Sequence, residues 1–115
     1  MKLAVIGSRS LNKNVLDVIT QVVTKSKNPI NEIVTGGASG VDTIAETFAK
    51  NNNIKSTIFL PQYKTYGKKA TFIRNNEILK NSDAVLAIWD GISKGTFYTI
   101  NQAKKLGLKV MIVRI

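Results

Sequence analysis

Along this chain, short apolar runs alternate with stretches whose apolar positions recur at helical spacing. "KLAVIG" (2–7), "NEIVTGG" (31–37), "KSTIFLP" (55–61), "DAVLAIWD" (83–90) and "KVMIVRI" (109–115) each carry a short apolar run, most of them stopped by Gly, Pro or Asp. Such runs read as strands buried on both faces. Between them, "LNKNVLDVITQVVTK" (11–25) puts Val15, Val18, Ile19, Val22 and Val23 on one helical face. "GVDTIAETFAKN" (40–51) does the same with Val41, Ile44, Ala45, Phe48 and Ala49, and "KATFIRNNEILKNS" (69–82) and "GTFYTINQAKKLG" (95–107) predict two further helices. Strand–helix alternation with right-handed crossovers predicts an α/β fold, a Rossmann-like three-layer sandwich on a parallel sheet of strand order 3-2-1-4-5. The 115 residues suffice for a single domain. The order reverses between the first and fourth strands, and ligands of such sheets gather there, beyond the carboxyl ends.

The loops expected on that edge are "GSRS" (7–10), "GGASG" (36–40), "PQYKTYGKK" (61–69) and "DGISKGT" (90–96). The first, second and fourth run into helix starts, where unpaired N–H groups favour anions. Candidate ligand-binding residues are therefore Gly7, Ser8, Arg9, Gly36, Gly37, Ala38, Ser39, Asp42, Gly91, Ser93, Gly95 and Thr96. Lys68 belongs to the long third loop, which is expected to be irregular and could serve as a lid. Arg74 and Asn75 come from the first half of the third helix, with Glu77 placed at i+3 to orient the guanidinium. Plainer readings stand beside these: Ser39 and Asp42 have the S-x-x-D spacing of a capping box, and Ser93 could be an N-cap. Tyr63, Tyr66 and Trp89 add aromatic faces near the loops, Trp89 with a place in the strand.

Composition prunes the chemistry. With no Cys and no His, thiolate nucleophiles, Ser-His-Asp triads and the usual zinc sites are excluded. Neither G-x-x-x-x-G-K-[ST] nor G-x-G-x-x-G occurs, which argues against P-loop hydrolases and dinucleotide oxidoreductases. Seventeen Lys and Arg against seven Asp and Glu give a net charge of +10, which favours phosphate-bearing partners. Part of that charge has a structural use, since Lys25, Lys27, Lys50, Lys80, Lys104 and Lys105 fall near predicted helix C-termini. No apolar run is long enough to span a bilayer, and "MKLAVIGSRS" is broken too early for a signal peptide, so a cytoplasmic location is expected.

Taken together and in this order, "GSRS", "VTGGASGVDTIAETFA", "YGKKATFIRNNEIL" and "AIWDGISKGTFYTINQAKKLG" resemble the SLOG superfamily, most closely its small YspA-like branch. The superfamily includes the DNA-processing protein A (Smf) group and the "lonely guy" phosphoribohydrolases. The resemblance runs from Val5 to about Val110. It implies a Rossmann-like domain that binds nucleotides or nucleotide-derived ligands, often as a homo-oligomer. The phosphoribohydrolases hold phosphate with a P-G-G-x-G-T loop and place a catalytic Glu three residues after its Thr. Here Gly95 and Thr96 match the loop's end, Gly91 sits one residue further off, Asp90 replaces the proline, and Thr99 stands where the Glu would be. Arg74 resembles that family's helical Arg.

The function expected from this is binding of a nucleotide-derived ligand, ADP-ribose-like or cyclic, by a sensor or sequestering protein, for instance in phage–host conflict. Helix N-termini hold phosphate, Asp42 or Asp90 takes ribose hydroxyls, and Arg74 neutralises charge. Turnover as a nucleotide phosphoribohydrolase would need a carboxylate elsewhere, with Arg74 and Asp90 as catalytic candidates. Binding of single-stranded nucleic acid is the other alternative. A Mg²⁺ on Asp42 or Asp90 oxygens is conceivable, but no spacing indicates it, so no cofactor and no metal site are expected.

Overall fold

The computed structural model describes all 115 residues. Five parallel strands, β1 (Lys2–Gly7), β2 (Glu32–Thr35), β3 (Lys55–Ile58), β4 (Ala84–Trp89) and β5 (Lys109–Arg114), form one sheet of order β3-β2-β1-β4-β5. The helices are α1 (Val15–Lys25), α2 (Val41–Asn51), a short α3 (Tyr63–Tyr66), α4 (Ala70–Lys80) and α5 (Lys94–Lys105). The strand order and the α/β class are those the apolar pattern predicts.

Side chains alternate across the sheet, and both faces of its centre are buried. Leu3, Val5, Ile33, Leu86 and Ile88 pack against Val15 and Ile19 of α1 and Val41, Ala45 and Phe48 of α2. Ala4, Ile6, Val34, Val85 and Ala87 face the other way, onto Ile78 and Leu79 of α4 and Ile100 and Ala103 of α5. This is why β1 and β4 read as near-continuous apolar runs, while the short β2 carries Ile33 and Val34 between the buried polar residues Glu32 and Thr35. The outer strands do not follow that rule: β3 and β5 are largely exposed, and β5 leaves Met111 and Ile112 half in solvent. They lie at the two edges of the sheet, each with a neighbouring strand on one side only.

Two local expectations give way. The helix expected from residue 11 starts at Val15, because Asn14 adopts a left-handed conformation at φ 66° and the chain before it turns. Short polar side chains tolerate that conformation better than most. The expected irregular stretch 61–69 instead holds α3 and a 3₁₀ turn over Gly67–Lys69, which lead directly into α4. β1 and β4 run in register to their carboxyl ends, where Gly7 stands opposite Ile88. A Cβ at Gly7 would strike the Ile88 carbonyl and the Val41 side chain, so glycine there lets α2 seat against the strand end. The loops after β1, β2 and β4 leave from this edge.

Candidate functional site

The loop after β4 is braced from within. Asp90 Oδ1 accepts the N–H groups of Ile92 and Ser93, each at 2.8 Å. Ser93 Oγ lies 3.1 Å from Asp90 Oδ2 and 3.0 Å from Ser8 Oγ, while Ser8 Oγ accepts the Asp90 N–H at 3.2 Å. The Trp89 indole N–H donates to the Ser93 carbonyl at 3.0 Å, and its ring stacks on Phe97. The amides of Ser93 and Ile92 hold the Asp90 carboxyl below its ordinary range. Sequence reasoning offered Asp90 to a ligand; its carboxylate is instead committed to shaping the turn into α5. The first-turn N–H groups of α5 receive no side-chain cap. Lys94, Gly95 and Thr96 thus present open donors, and the positive end of the helix lies behind them.

The second half of the site is built around Gly36. Asp42, in the first turn of α2, accepts the N–H of Gly36 at 3.1 Å and of Ala38 at 3.2 Å, both on Oδ2. The expected Ser39–Asp42 capping box does not form: the N-cap is Gly40, without a side-chain bond, and Asp42 reaches back to the loop amides. Arg74 comes from α4 and donates through Nη1 to the Gly36 carbonyl and through Nε to Asn75 Oδ1, the latter at 2.8 Å. Asn75 Nδ2 donates to Thr99 Oγ1 at 3.0 Å, and Thr99 Oγ1 donates to the Gly95 carbonyl at 3.0 Å. Arg74 is therefore oriented by Asn75 and the Gly36 backbone rather than by Glu77, because its side chain points inward. A Cβ at Gly36 would collide with the guanidinium, which explains the glycine.

Both charges are buried, Asp42 and Arg74 each retaining 7% of their exposure. Burial raises the Asp42 carboxyl to about 6, against the opposing pull of the Ala38 amide, Arg74 and the Gly36 amide. Burial likewise lowers the Arg74 guanidinium, with Asp42 opposing. The two do not form a salt bridge; the one ion pair within 4.0 Å in the chain is Lys55–Glu32, at 3.6 Å.

These parts enclose a cavity of about 450 Å³ walled by the loops after β1, β2 and β4 and by α4. Of the residues expected from sequence, Gly7, Ser8, Arg9, Ala38, Asp42, Arg74, Asn75, Ser93, Gly95 and Thr96 are on its wall. A smaller cavity of about 220 Å³ shares Arg9, Ala38 and Arg74 with it, and adds Gly36, Gly37, Ser39, Pro61 and Tyr63. Lys68, Asp90 and Gly91 line neither cavity. Lys68 falls in the 3₁₀ turn, and Gly91 backs onto the Arg114 side chain. The wall also contains Thr71, Phe72 and Thr99, which the loop-based reading missed because α4 and α5 present them from helix bodies. Only the i, i+3 and i+4 relation of Thr71 and Phe72 to Arg74 and Asn75 could have signalled the first two. No group of three or more Asp and Glu side chains is placed to hold a metal ion.

A sequence model of the family described as DNA recombination-mediator protein A matches residues 1–62. No curated protein matches the chain. Among solved structures, DNA processing protein A from Streptococcus pneumoniae superposes with a TM-score of 0.80 at 22% identity. That match covers 96% of this chain and 49% of the other, so this chain spans about half of that protein's length. The X-ray structure of TM1055, a structural-genomics target, superposes with a TM-score of 0.73 at 20% identity, covering 95% of this chain and 71% of the other. At these identities the two structures speak for the fold.

Proposed function

This chain belongs to the DNA recombination-mediator protein A family, within the SLOG superfamily, and on that premise we propose that its crevice holds the phosphate of a nucleotide-derived ligand. The observation that supports this most is the start of α5. Three successive backbone donors, at Lys94, Gly95 and Thr96, open without a cap onto a cavity that also contains Arg9 and Arg74. Helix-end donors and guanidinium groups in a partly dried pocket are the ordinary means of holding a phosphate. The cavity volume lies within the range of small-ligand sites.

Turnover is not part of the proposal. At the position of the phosphoribohydrolase carboxylate, Thr99 spends its hydroxyl on Gly95 and Asn75 and has no acid function to offer. Holding a nucleotide without cleaving it suits a sensor or a sequestering protein. Calorimetry with AMP and ADP-ribose tests the reading. Saturable binding at micromolar to millimolar ligand, weakened several-fold by Arg9→Ala, is expected, with the nucleotide recovered intact by chromatography. Absence of binding at millimolar ligand overturns the reading, and release of free base overturns the non-catalytic part of it.

A second reading, that the phosphate belongs to single-stranded nucleic acid, draws on the family and on one feature of the surface. The two cavities share Arg9, Ala38 and Arg74 in their walls, and the smaller is lined also by Tyr63, an exposed aromatic ring followed in the chain by Lys64, Tyr66, Lys68 and Lys69. Stacking rings beside cations suit a strand that leaves the pocket. Binding of an oligothymidylate with a steep salt dependence, beside weak binding of mononucleotides, would favour it.

A further inference from the structure

Asp42 is a buried carboxylate whose hydrogen bonds are only half accounted for. Its Oδ2 accepts the Gly36 and Ala38 amides, whereas Oδ1 accepts no bond from the chain. The nearby cation does not satisfy it, because Arg74 is engaged by the Gly36 carbonyl and Asn75 and lies beyond salt-bridge distance. Oδ1 is not sealed in the core either: Asp42 lines the cavity, and the one buried side-chain polar atom without a partner is Thr35 Oγ1. A carboxylate in such a place needs donors, and a ligand that supplies them replaces water at little cost. It also repels phosphate, which is drawn instead to the open amides of α5 and to Arg9.

We infer that Asp42 makes the crevice selective for a ribose phosphate over its 2-deoxy counterpart, the free carboxylate oxygen accepting hydrogen bonds from the sugar's hydroxyls. This deepens the nucleotide reading and rests on it. The hydroxyl pair fits because the wall needs a neutral donor close to an anion on one small molecule, and a sugar phosphate carries both. Asp90, the other carboxylate of the loops, lines neither cavity, and its second oxygen faces Ser93 Oγ at 3.1 Å, so it does not share this role.

The test compares ribose 5-phosphate with 2-deoxyribose 5-phosphate by calorimetry at pH 8, on the wild-type chain and on Asp42→Asn. Asparagine can keep its oxygen on the two loop amides while presenting an N–H₂ donor to the cavity in place of an acceptor. A preference of about tenfold for the ribose form is expected in the wild type, the scale of one charge-assisted hydrogen bond, falling to within twofold in the variant. Equal binding of the two sugars, or a preference that survives Asp42→Asn, overturns the inference while leaving the phosphate site standing. A preference seen between AMP and dAMP but absent from the bare sugar phosphates overturns it as well. If AMP binds while neither sugar phosphate does, the inference fails and the nucleotide reading stands; if AMP and ADP-ribose do not bind either, both fail. Should Asp42→Asn not fold, the wild-type preference followed from pH 8 to pH 5 decides. It is expected to decline as Asp42 takes up a proton, with Arg74, Arg9 and Glu46 as the other charges about it. The phosphate's own titration is common to both sugars and cancels in their ratio.

Discussion

At the scale of the residue, the site turns on which polar atoms are already spoken for. Asp90 and Asn75 read in the sequence as groups available to a ligand, yet Asp90 ties the loop together and Asn75 bridges Arg74 to Thr99. Those bonds span up to 24 positions for Asn75, and the Arg74–Gly36 bond spans 38, distances that no local spacing rule can anticipate. That Arg74 faces the crevice was legible from its place in the first half of its helix; its orientation was not, since a helical Glu at i+3 is the nearest partner only if the side chain faces solvent. Gly36→Ala is expected to displace the guanidinium and to destabilise the fold by about 1–3 kcal/mol in urea unfolding, the cost of overpacking a buried contact. Asp42 carries a pH signature. Its carboxyl is raised from 3.8 to about 6 in the folded chain, so the folded state binds the proton more tightly than the unfolded one. The stabilisation is fully present below about pH 4 and is lost as pH rises through 6, on the order of 3 kcal/mol for two pH units. Denaturant unfolding at pH 4 and pH 7 is expected to show this decline in the wild type and a smaller one in Asp42→Asn.

At the scale of the element, the ends of helices matter more than their faces. The apolar faces were plain in the sequence because burial imposes their period, as Val41, Ala45 and Phe48 illustrate. The ends were not, because capping depends on which loop amide comes within reach. Asp42 serves Gly36 and Ala38 rather than Ser39, and α1 waits for Asn14 to turn the chain. α5 offers a way to separate folding from binding. A Cβ at Gly95 meets nothing within 4 Å of the chain, while Gly95 lines the cavity. Gly95→Ala is expected to leave stability unchanged or raise it by up to about 1 kcal/mol, through helix propensity. The same change is expected to weaken AMP several-fold by crowding the amides; thermal unfolding and calorimetry on one sample read both effects. Asp90→Ala is expected to act in the opposite sense on the fold, lowering the thermal unfolding midpoint as the turn into α5 loses its two amide bonds.

At the scale of the whole molecule, the sheet order was legible because alternation and handedness leave few arrangements, and β1, β2 and β4 are apolar enough to declare themselves. The exposure of β3 and β5 was not, since a run such as "KVMIVRI" looks the same whether or not a helix covers it. Charge acts at this scale too. With +10 over 115 residues, the chain attracts any polyanion without regard to site. Oligothymidylate affinity is therefore expected to fall steeply between 50 and 200 mM salt. AMP affinity in the crevice is expected to fall less, because fewer phosphate charges are neutralised. Two titrations at three salt concentrations separate general attraction from a built site.

Gly36 has one more consequence. Its N–H belongs to the peptide unit before the α-carbon and its carbonyl to the unit after it; Asp42 grips the first and Arg74 the second. Each unit is planar and stiff, so the acid and the cation steady adjacent links joined at a single swivel without a side chain. The acid from α2 and the cation from α4 are thus tied through the two main-chain torsions of one glycine, which together fix the direction in which the loop leaves β2.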